Sequence, residues 1–249
     1  MSSQAGPNPR ILVIVPAWNE QESVASTIGE LRRSQPAVDI LVVDDGSDDQ
    51  TAMVARSAGA LVCQLPFNIG VGGAMRAGYR FALRNSYDIA VQLDADGQHI
   101  PDYLDSLIMA LDTADIVIGA RFAGVGNYRI GILRRIAMRM LATTLSRLAR
   151  TPLSDVTSGF RVVNRRALAV FARHYPAEYL GDTVESLVIA IRSGCRITQV
   201  PVEMRERLGG TASQSNPRAI LYLARAVAAL ALALVRRWPA ASQSFPKDQ

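Results

Sequence analysis

The sequence predicts an α/β fold in which a mostly parallel central sheet is flanked by helices, with amphipathic helices added toward the C-terminal end. Short β-branched apolar runs alternate with helically spaced segments through the N-terminal half. The runs are continuously apolar, as strands buried on both faces require. Three of them stop at polar clusters: Pro16-Ala17-Trp18-Asn19-Glu20, Asp44-Asp45-Gly46-Ser47 and Asp94-Ala95-Asp96. In open α/β sheets the ligand lies beyond the C-terminal strand ends, so three such ends on one edge predict a site.

Ile11 to Val15 predicts the first buried strand, stopped by Pro16. Asn19 is placed to cap the following helix, with Glu20 and Glu22 in its positive first turn. Val24, Ile28 and Leu31 carry that helix to Arg33. Ile40 to Val43 predicts the second strand, Thr51 to Ala58 a helix turned by Gly59, and Ala60 to Leu65 the third strand. Gly70, Gly72 and Gly73 open a helix from about Ala74 to Arg84. This cluster lacks a phosphate-loop lysine and a clean dinucleotide spacing, so it reads as a tight turn.

Ile89 to Leu93 predicts a strand that drives into Asp94-Ala95-Asp96-Gly97-Gln98-His99. In an extended chain Asp94 and Asp96 point the same way. Two carboxylates aimed at one spot repel unless a cation lies between them. Hard oxygen ligands suit Mg²⁺ or Mn²⁺, which normally also grips substrate phosphates. The same residues also suit a strand-end turn with solvated aspartates.

Beyond His99, Pro101 starts a helix through Leu111. Ile116 to Ile118 predicts a strand ending at Gly119-Ala120-Arg121. Arg121 is placed either to contact a diphosphate or to neutralise the aspartates. Tyr128 to Arg150 mixes six arginines with apolar residues and contains no acid. This suits a helix on an anionic membrane surface, or an ordinary core helix with a solvated arginine face. Asp155 to Val163 predicts a turn and a strand, and Arg166 to Phe171 and Asp182 to Arg192 predict helices. Asp182 and Glu185 are either catalytic carboxylates or first-turn helix charges. Arg196 to Met204 predicts a strand, marked by Pro201 as an edge or strand end. Arg205 to Ser213 is a polar loop, either a closure over a nucleotide or a linker. Ala219 to Val235 is an apolar helix containing Arg225. It is shorter than the roughly 20 residues a membrane span needs, and Arg236, Arg237 and Trp238 follow it; it reads as interfacial.

The 249 residues suffice for one large α/β domain. Hydrophobic content of 49% and charged content of 20% exclude a disordered chain. Net charge is +5, and Lys247 is the sole lysine, so the positive charge is arginine, whose planar fork binds phosphate. Cys63 and Cys195 are isolated, as reduced thiols in a cytoplasmic protein are. Residues 1–9 read as a disordered lead without a signal-peptide pattern, 10–215 as the main domain, 216–238 as the apolar helix and 239–249 as a tail.

Ile14-Val15-Pro16-Ala17-Trp18-Asn19-Glu20, Val42-Val43-Asp44-Asp45-Gly46-Ser47, Asp94-Ala95-Asp96-Gly97-Gln98-His99 and Thr157-Ser158-Gly159-Phe160-Arg161 occur in this order. Together they resemble the family 2 glycosyltransferases of the GT-A, Rossmann-like fold, and within them the polyprenol-phosphate sugar synthases. The resemblance covers about residues 10 to 215. It implies that Pro16, Asn19, Glu20, Val43 and Asp45 hold the nucleoside. It implies that Asp94, Ala95 and Asp96 line the diphosphate site, with Asp96 and Gln98, joined by Asp94, on Mg²⁺ or Mn²⁺. Arg121 would contact the donor, Arg134 the lipid phosphate, and Asp155 would lie near the transfer point. Arg205 and Arg207 would sit in the loop that closes on the diphosphate. Two positions depart from the pattern. Thr211 stands where a basic residue follows the paired glycines, and Met138 where a serine follows the acceptor arginine.

The activity so implied is metal-dependent, inverting transfer of a sugar from a nucleoside-diphosphate sugar to a polyprenyl phosphate. The enzyme would be peripheral to the cytoplasmic membrane surface. A phosphate acceptor needs no general base. A hydroxyl acceptor, on a cell-wall polysaccharide or glycolipid precursor, needs one from Asp155, Asp182 or Glu185. A non-catalytic sugar-nucleotide binder is opposed by Asp94, Asp96 and Gln98. A nucleic-acid binder is opposed by arginines set among apolar residues rather than exposed aromatics.

Overall fold

Leu12 and Ile14 face one side of the sheet, Val13 and Val15 the other, and all four are fully buried. A strand so enclosed must be apolar throughout, which is why Ile11 to Val15 shows no alternation. A computed structural model describes residues 9–121, 132–177 and 182–205, with the backbone alone for 132–137 and 182.

The strands are β1 (Ile11–Ala17), β2 (Asp39–Asp44), β3 (Leu61–Gln64), β4 (Ile89–Gln92), β5 (Ile116–Arg121), β6 (Arg161–Asn164) and β7 (Ile197–Val202). The helices are α1 (Val24–Ser34), α2 (Thr51–Ser57), α3 (Val71–Arg84), α4 (Leu104–Met109), α5 (Ile132–Ala149), α6 (Arg165–His174) and α7 (Asp182–Arg192). They form one seven-stranded sheet of order β3-β2-β1-β4-β6-β5-β7. The chain winds outward from β1 to β3, and α3 then carries it back to β4 on the far side of β1. This reversal opens a crevice between β1 and β4 at the C-terminal edge, where α/β sheets bind ligands. The polar ends of β2, β1 and β4 stand side by side along it.

The sheet departs from uniform parallel winding at β6, which pairs antiparallel with both β4 and β5. Residues 150–160 approach along the C-terminal edge, so β6 begins there and runs back. Arg161, its first residue, lies opposite Gln92. The expected helix from Pro101 to Leu111 is divided into a 3-10 turn at Pro101–Tyr103, α4, and a second 3-10 turn at Ala110–Asp112. Pro101 is at the start of the first 3-10 turn, where a missing N–H costs nothing. Pro201 lies on β7, an edge strand, as a residue without a ladder donor should.

One face of the sheet is covered by α3, α5, α6 and α7, with Tyr79, Phe171 and Tyr175 meeting at centroid distances of 5.1–5.2 Å. The other face is covered by α1, α2 and α4 through Val24, Ile28, Leu31, Ala55, Leu104 and Leu107. Both cysteines are free, and burial pushes the Cys195 thiol up to about 11. No helix among the described residues is long and apolar enough to cross a membrane. The expected helix Ala219 to Val235 lies outside the described residues.

Gly78 brings α3 directly against Ile14, and a Cβ there would collide with the γ-methyl of Ile14. Alanine gains about 1 kcal/mol over glycine inside a helix, whereas overpacking a core costs about 1–3 kcal/mol. That methyl branches at the Cβ of a buried strand residue and cannot swing away. Gly78→Ala is therefore expected to lose about 1–2 kcal/mol net, read as a lower midpoint in urea unfolding.

Candidate active site

The first wall of the crevice is made where the loop after β1 is tied to the loop after β2. Asn19 takes a left-handed φ of +55°. Its N–H donates to Ser47 Oγ at 2.9 Å, and its Oδ1 accepts from the Asp48 N–H at 3.0 Å. The Glu20 N–H donates to Thr51 Oγ1 at 2.8 Å. Asn19 is thus not the helix cap expected of it; α1 starts at Val24 with Ser23 before it and no acid in its first turn. Its polar ends are spent on the neighbouring loop, and Ser23 Oγ donates to the Glu20 carboxylate at 2.6 Å.

Asp44 is fully buried, with Oδ1 accepting from the Ser47 N–H and Oδ2 without a hydrogen-bond partner among the described residues. Asp45 accepts from the Ile69 and Gly70 N–H groups at 2.9 and 2.8 Å, and so holds the turn that opens α3. Burial pushes its carboxyl above the usual range, with those two bonds working against it. Gly46 has φ +68°, and the Phe67–Asn68 backbone passes where its Cβ would be. Pro16 does not stop β1, as expected of it, but is its penultimate residue, in register with Val43; the Val43 side chain is wholly in the core, so only its backbone faces the edge.

The second wall follows β4, which ends at Gln92; Ala95 and Asp96 form a turn, and Gly97 has φ +74°. The extended-chain argument for Asp94 and Asp96 therefore does not hold. They share the edge through a turn, not through strand parity. The Asp94 side chain is 38% exposed and Asp96 only 8%. Asp96 Oδ1 accepts from the Gln98 N–H at 3.1 Å, and the Ala95 carbonyl accepts from Thr27 Oγ1 at 3.0 Å. His99 is buried and stacked on Phe160 at 5.1 Å. Its Nδ1 accepts from the Asp94 N–H at 3.2 Å, so its proton resides on Nε2, 3.9 Å from Asp94 Oδ2. Burial lowers the imidazole to about 4 against the pull of Asp96, leaving it neutral at pH 7.

Arg121 ends β5 and Asp155 precedes β6, and the two are joined. Arg121 Nε donates to Asp155 Oδ2 at 2.6 Å and Nη2 donates to Oδ1 at 3.1 Å. Nη2 also donates to Thr157 Oγ1 at 3.1 Å, and the Thr157 N–H and hydroxyl donate to Asp155 Oδ1. Burial works to raise Asp155, but these bonds outweigh it and hold the carboxyl below the ordinary range. Gly159 lets the chain pass beneath Asp94: a Cβ there would lie 2.7 Å from Asp94 Oδ2.

Arg205 follows β7. Its N–H donates to the Gln98 carbonyl at 3.0 Å, Met204 bridges His99, and its guanidinium donates to Glu30 at 2.6 Å. The structure thus gathers Asn19, Glu20, Asp45, Asp94, Asp96, Gln98, Arg121, Asp155 and Arg205 along one edge. Glu185 falls in the first turn of α7. Arg207 and the side chains of Arg134 and Asp182 lie outside the described residues. Gln199, which bonds to the segment around Asp155, and Glu30 have no signal in the sequence; Thr157 and Arg161 stand out there only as the ends of a motif.

No group of three or more His, Cys, Asp or Glu gathers as a metal site among the described residues. Asp94, Asp96 and the Gln98 amide supply hard oxygens only. Such a sparse set fits Mg²⁺ or Mn²⁺ completed by water and substrate phosphates, not a cation caged by protein.

The reversal at β1 and β4, the acidic turn beside it and the antiparallel β6 make this a GT-A glycosyltransferase fold. Glucosyl-3-phosphoglycerate synthase of Mycobacterium tuberculosis, solved with Mn²⁺, UDP-glucose and phosphoglyceric acid, matches it with a TM-score of 0.71 at 21% identity, covering 94% of this chain and 88% of that one. The model of glycosyl transferase family 2 matches residues 12–171, and the chain belongs to that family and is a glycosyltransferase. It is 34% identical to polyprenol monophosphomannose synthase of Mycolicibacterium smegmatis, over 84% of this chain and 83% of that protein. It is also 34% identical to undecaprenyl-phosphate mannosyltransferase of Micrococcus luteus, over 83% of this chain and 88% of that protein.

Two outcomes are expected from this geometry. Gly159→Ala should displace Asp94 while leaving the melting temperature within a few degrees. A shift near 1 Å costs up to about 10²-fold in rate, read in a sugar-transfer assay. The Asp155–Arg121 pair lowers the folded-state pKa, so its stabilisation is present above the unfolded value of about 3.9 and is lost as pH falls through the lower folded value. The melting-temperature gap between wild type and Asp155→Asn should be full at pH 5 and above and should narrow below about pH 4.

Proposed function

We propose that this glycosyltransferase moves a sugar from a nucleoside-diphosphate sugar to a polyprenyl phosphate at the cytoplasmic face of the membrane. The observation that carries this reading is the state of Asp155. A general base must accept a proton in the transition state and works best with a pKa near the operating pH. Asp155 is held the other way, its oxygens saturated by Arg121 and Thr157 and its pKa depressed. A lipid phosphate is already anionic and asks for no base. The two mannosyltransferase relatives, named for polyprenol and undecaprenyl phosphate, support the same acceptor.

In this reading Pro16, Asn19, Glu20, the Val43 backbone and Asp45 receive the nucleoside. Asp94, Asp96 and Gln98 would hold Mg²⁺ or Mn²⁺, which supplies positive charge against the diphosphate. Arg205 and Arg207 would serve the same phosphates. A phosphate oxygen of the acceptor attacks the anomeric carbon from the face opposite the diphosphate. The new bond to carbon forms as the bond to the diphosphate oxygen breaks, inverting the centre, and no proton moves. Arg121, oriented by Asp155, stabilises negative charge on the donor, and Arg134 receives the acceptor phosphate. Arg139, Arg147 and Arg150 on and just after α5, with no acid between, suit an anionic bilayer surface.

The test is incubation with polyprenyl phosphate, Mn²⁺ and a panel of sugar nucleotides, with lipid extraction and chromatography. A lipid-phosphate sugar is expected from one donor, abolished by EDTA and reduced at least about 10²-fold by Asp96→Asn. Transfer to hydroxyl acceptors alone would overturn the reading.

A further inference from the structure

Gln199 lies in the middle of β7, opposite Ile118 of β5. A polar residue on an edge strand ordinarily turns to water. This one reaches instead to the segment that precedes β6. Its Oε1 accepts from the Ser154 N–H at 2.7 Å and from Ser154 Oγ at 3.1 Å. Its Nε2 donates to the Asp155 carbonyl at 2.9 Å. A single side-chain amide thus pairs with two successive backbone groups, one donor and one acceptor, as a strand neighbour would. The orientation of the amide follows from its partners. Turned over, its NH2 would face the Ser154 N–H and its oxygen the Asp155 carbonyl, leaving both unsatisfied.

The position of Asp155 matters because its carboxylate takes the Arg121 guanidinium in a two-point grip. Arg121 is the last residue of β5, and its own backbone is fixed by pairing with Val202 of β7. The same edge strand therefore fixes both partners, Arg121 through the ladder and Asp155 through the Gln199 amide. We propose that Gln199 is a positioning residue for sugar transfer, holding Asp155 where it orients Arg121 at the reacting edge. The inference rests on the reading that Arg121 and Asp155 serve the transfer centre. Gln199 itself touches no substrate. It acts through the main chain of residue 155, which makes the amide, not its bulk, the part that counts.

Gln199→Met keeps the length of the side chain and removes all three bonds. Gln199→Glu keeps an acceptor for Ser154 and sets a carboxylate oxygen against the Asp155 carbonyl. Both are measured beside Asp155→Asn and the double variant Gln199→Met/Asp155→Asn, with kcat, donor KM and melting temperature for each. Expected for both single Gln199 variants is a fall in kcat of about tenfold, since sub-ångström misplacement of oriented groups is felt in rate. The donor KM should stay within about twofold, because the Asn19 to Asp45 wall is untouched. The double variant should be no slower than Asp155→Asn alone, the sign of two residues acting through one contact. A merely structural role would instead lower melting temperature and yield without changing kcat of the folded fraction. If Asp155→Asn is impaired while the Gln199 variants match wild type, or while the two effects simply add, the inference fails and the transfer-centre reading stands. If Asp155→Asn transfers sugar at the wild-type rate, both fall.

Discussion

Arg161 is wholly enclosed, and a guanidinium without water must find its partners in the protein. It donates to the Ser158 carbonyl, the Val156 carbonyl, the Thr183 carbonyl and Ser186 Oγ, at 2.9–3.1 Å. Those four bonds fasten the turn before β6 to the first two turns of α7. The segment so fastened carries Asp155, Thr157 and Gly159, so one buried cation shapes half of the crevice. No carboxylate lies within 4 Å of it among the described residues. Among the described residues its partners are carbonyl dipoles and a hydroxyl, an arrangement that depends on direction and so tolerates little movement.

The other half is built from loops that satisfy each other. Asn19, Ser47, Asp48 and Thr51 exchange bonds between the ends of β1 and β2, and Asp45 reaches on to the start of α3. Strand ends leave backbone groups without ladder partners, and these side chains take them up. The acidic turn after β4 lies between the two halves. It is tied to α1 through Thr27, to the turn before β6 through the His99–Phe160 stack, and to the end of β7 through Gln98. The three parts of the edge are therefore rigidly referred to one another, which is what a site needs before any ligand arrives.

Much of this is legible in the chain itself. The continuous runs at Ile11, Ile40 and Ile89 announce strands buried on both faces, and their abrupt polar ends announce the edge that matters. The direction of β6 is not legible, because an apolar run such as Val162-Val163 reads the same either way. Asn19 is a good cap by type, yet its partner is a loop 28 residues onward, and local propensity carries no record of that competitor. Asp94 and Asp96 were legible as a pair but not in their mode of convergence, since Gly97 turns the chain where strand parity assumed extension. Arg161 stands in the sequence only as the end of a motif, and Gln199 only as one residue of a strand. Both gain their meaning from contacts between distant segments, which no spacing rule encodes.

The reversed entry of β6 has a consequence for how such an enzyme diversifies. The loops after β1 and β2 build one wall of the crevice, and the segments around β5 and β6 stand on the far side of the turn after β4. The two are joined through the β4–β6 ladder and the His99–Phe160 stack, and their loops approach at Gly159 beneath Asp94 and at Arg205 beside Gln98. Substitution or lengthening between β5 and β6 can then remodel one wall while the ladder between β1, β2 and β4 stays in register. A lineage is free to reshape one side of the crevice while the other keeps its form.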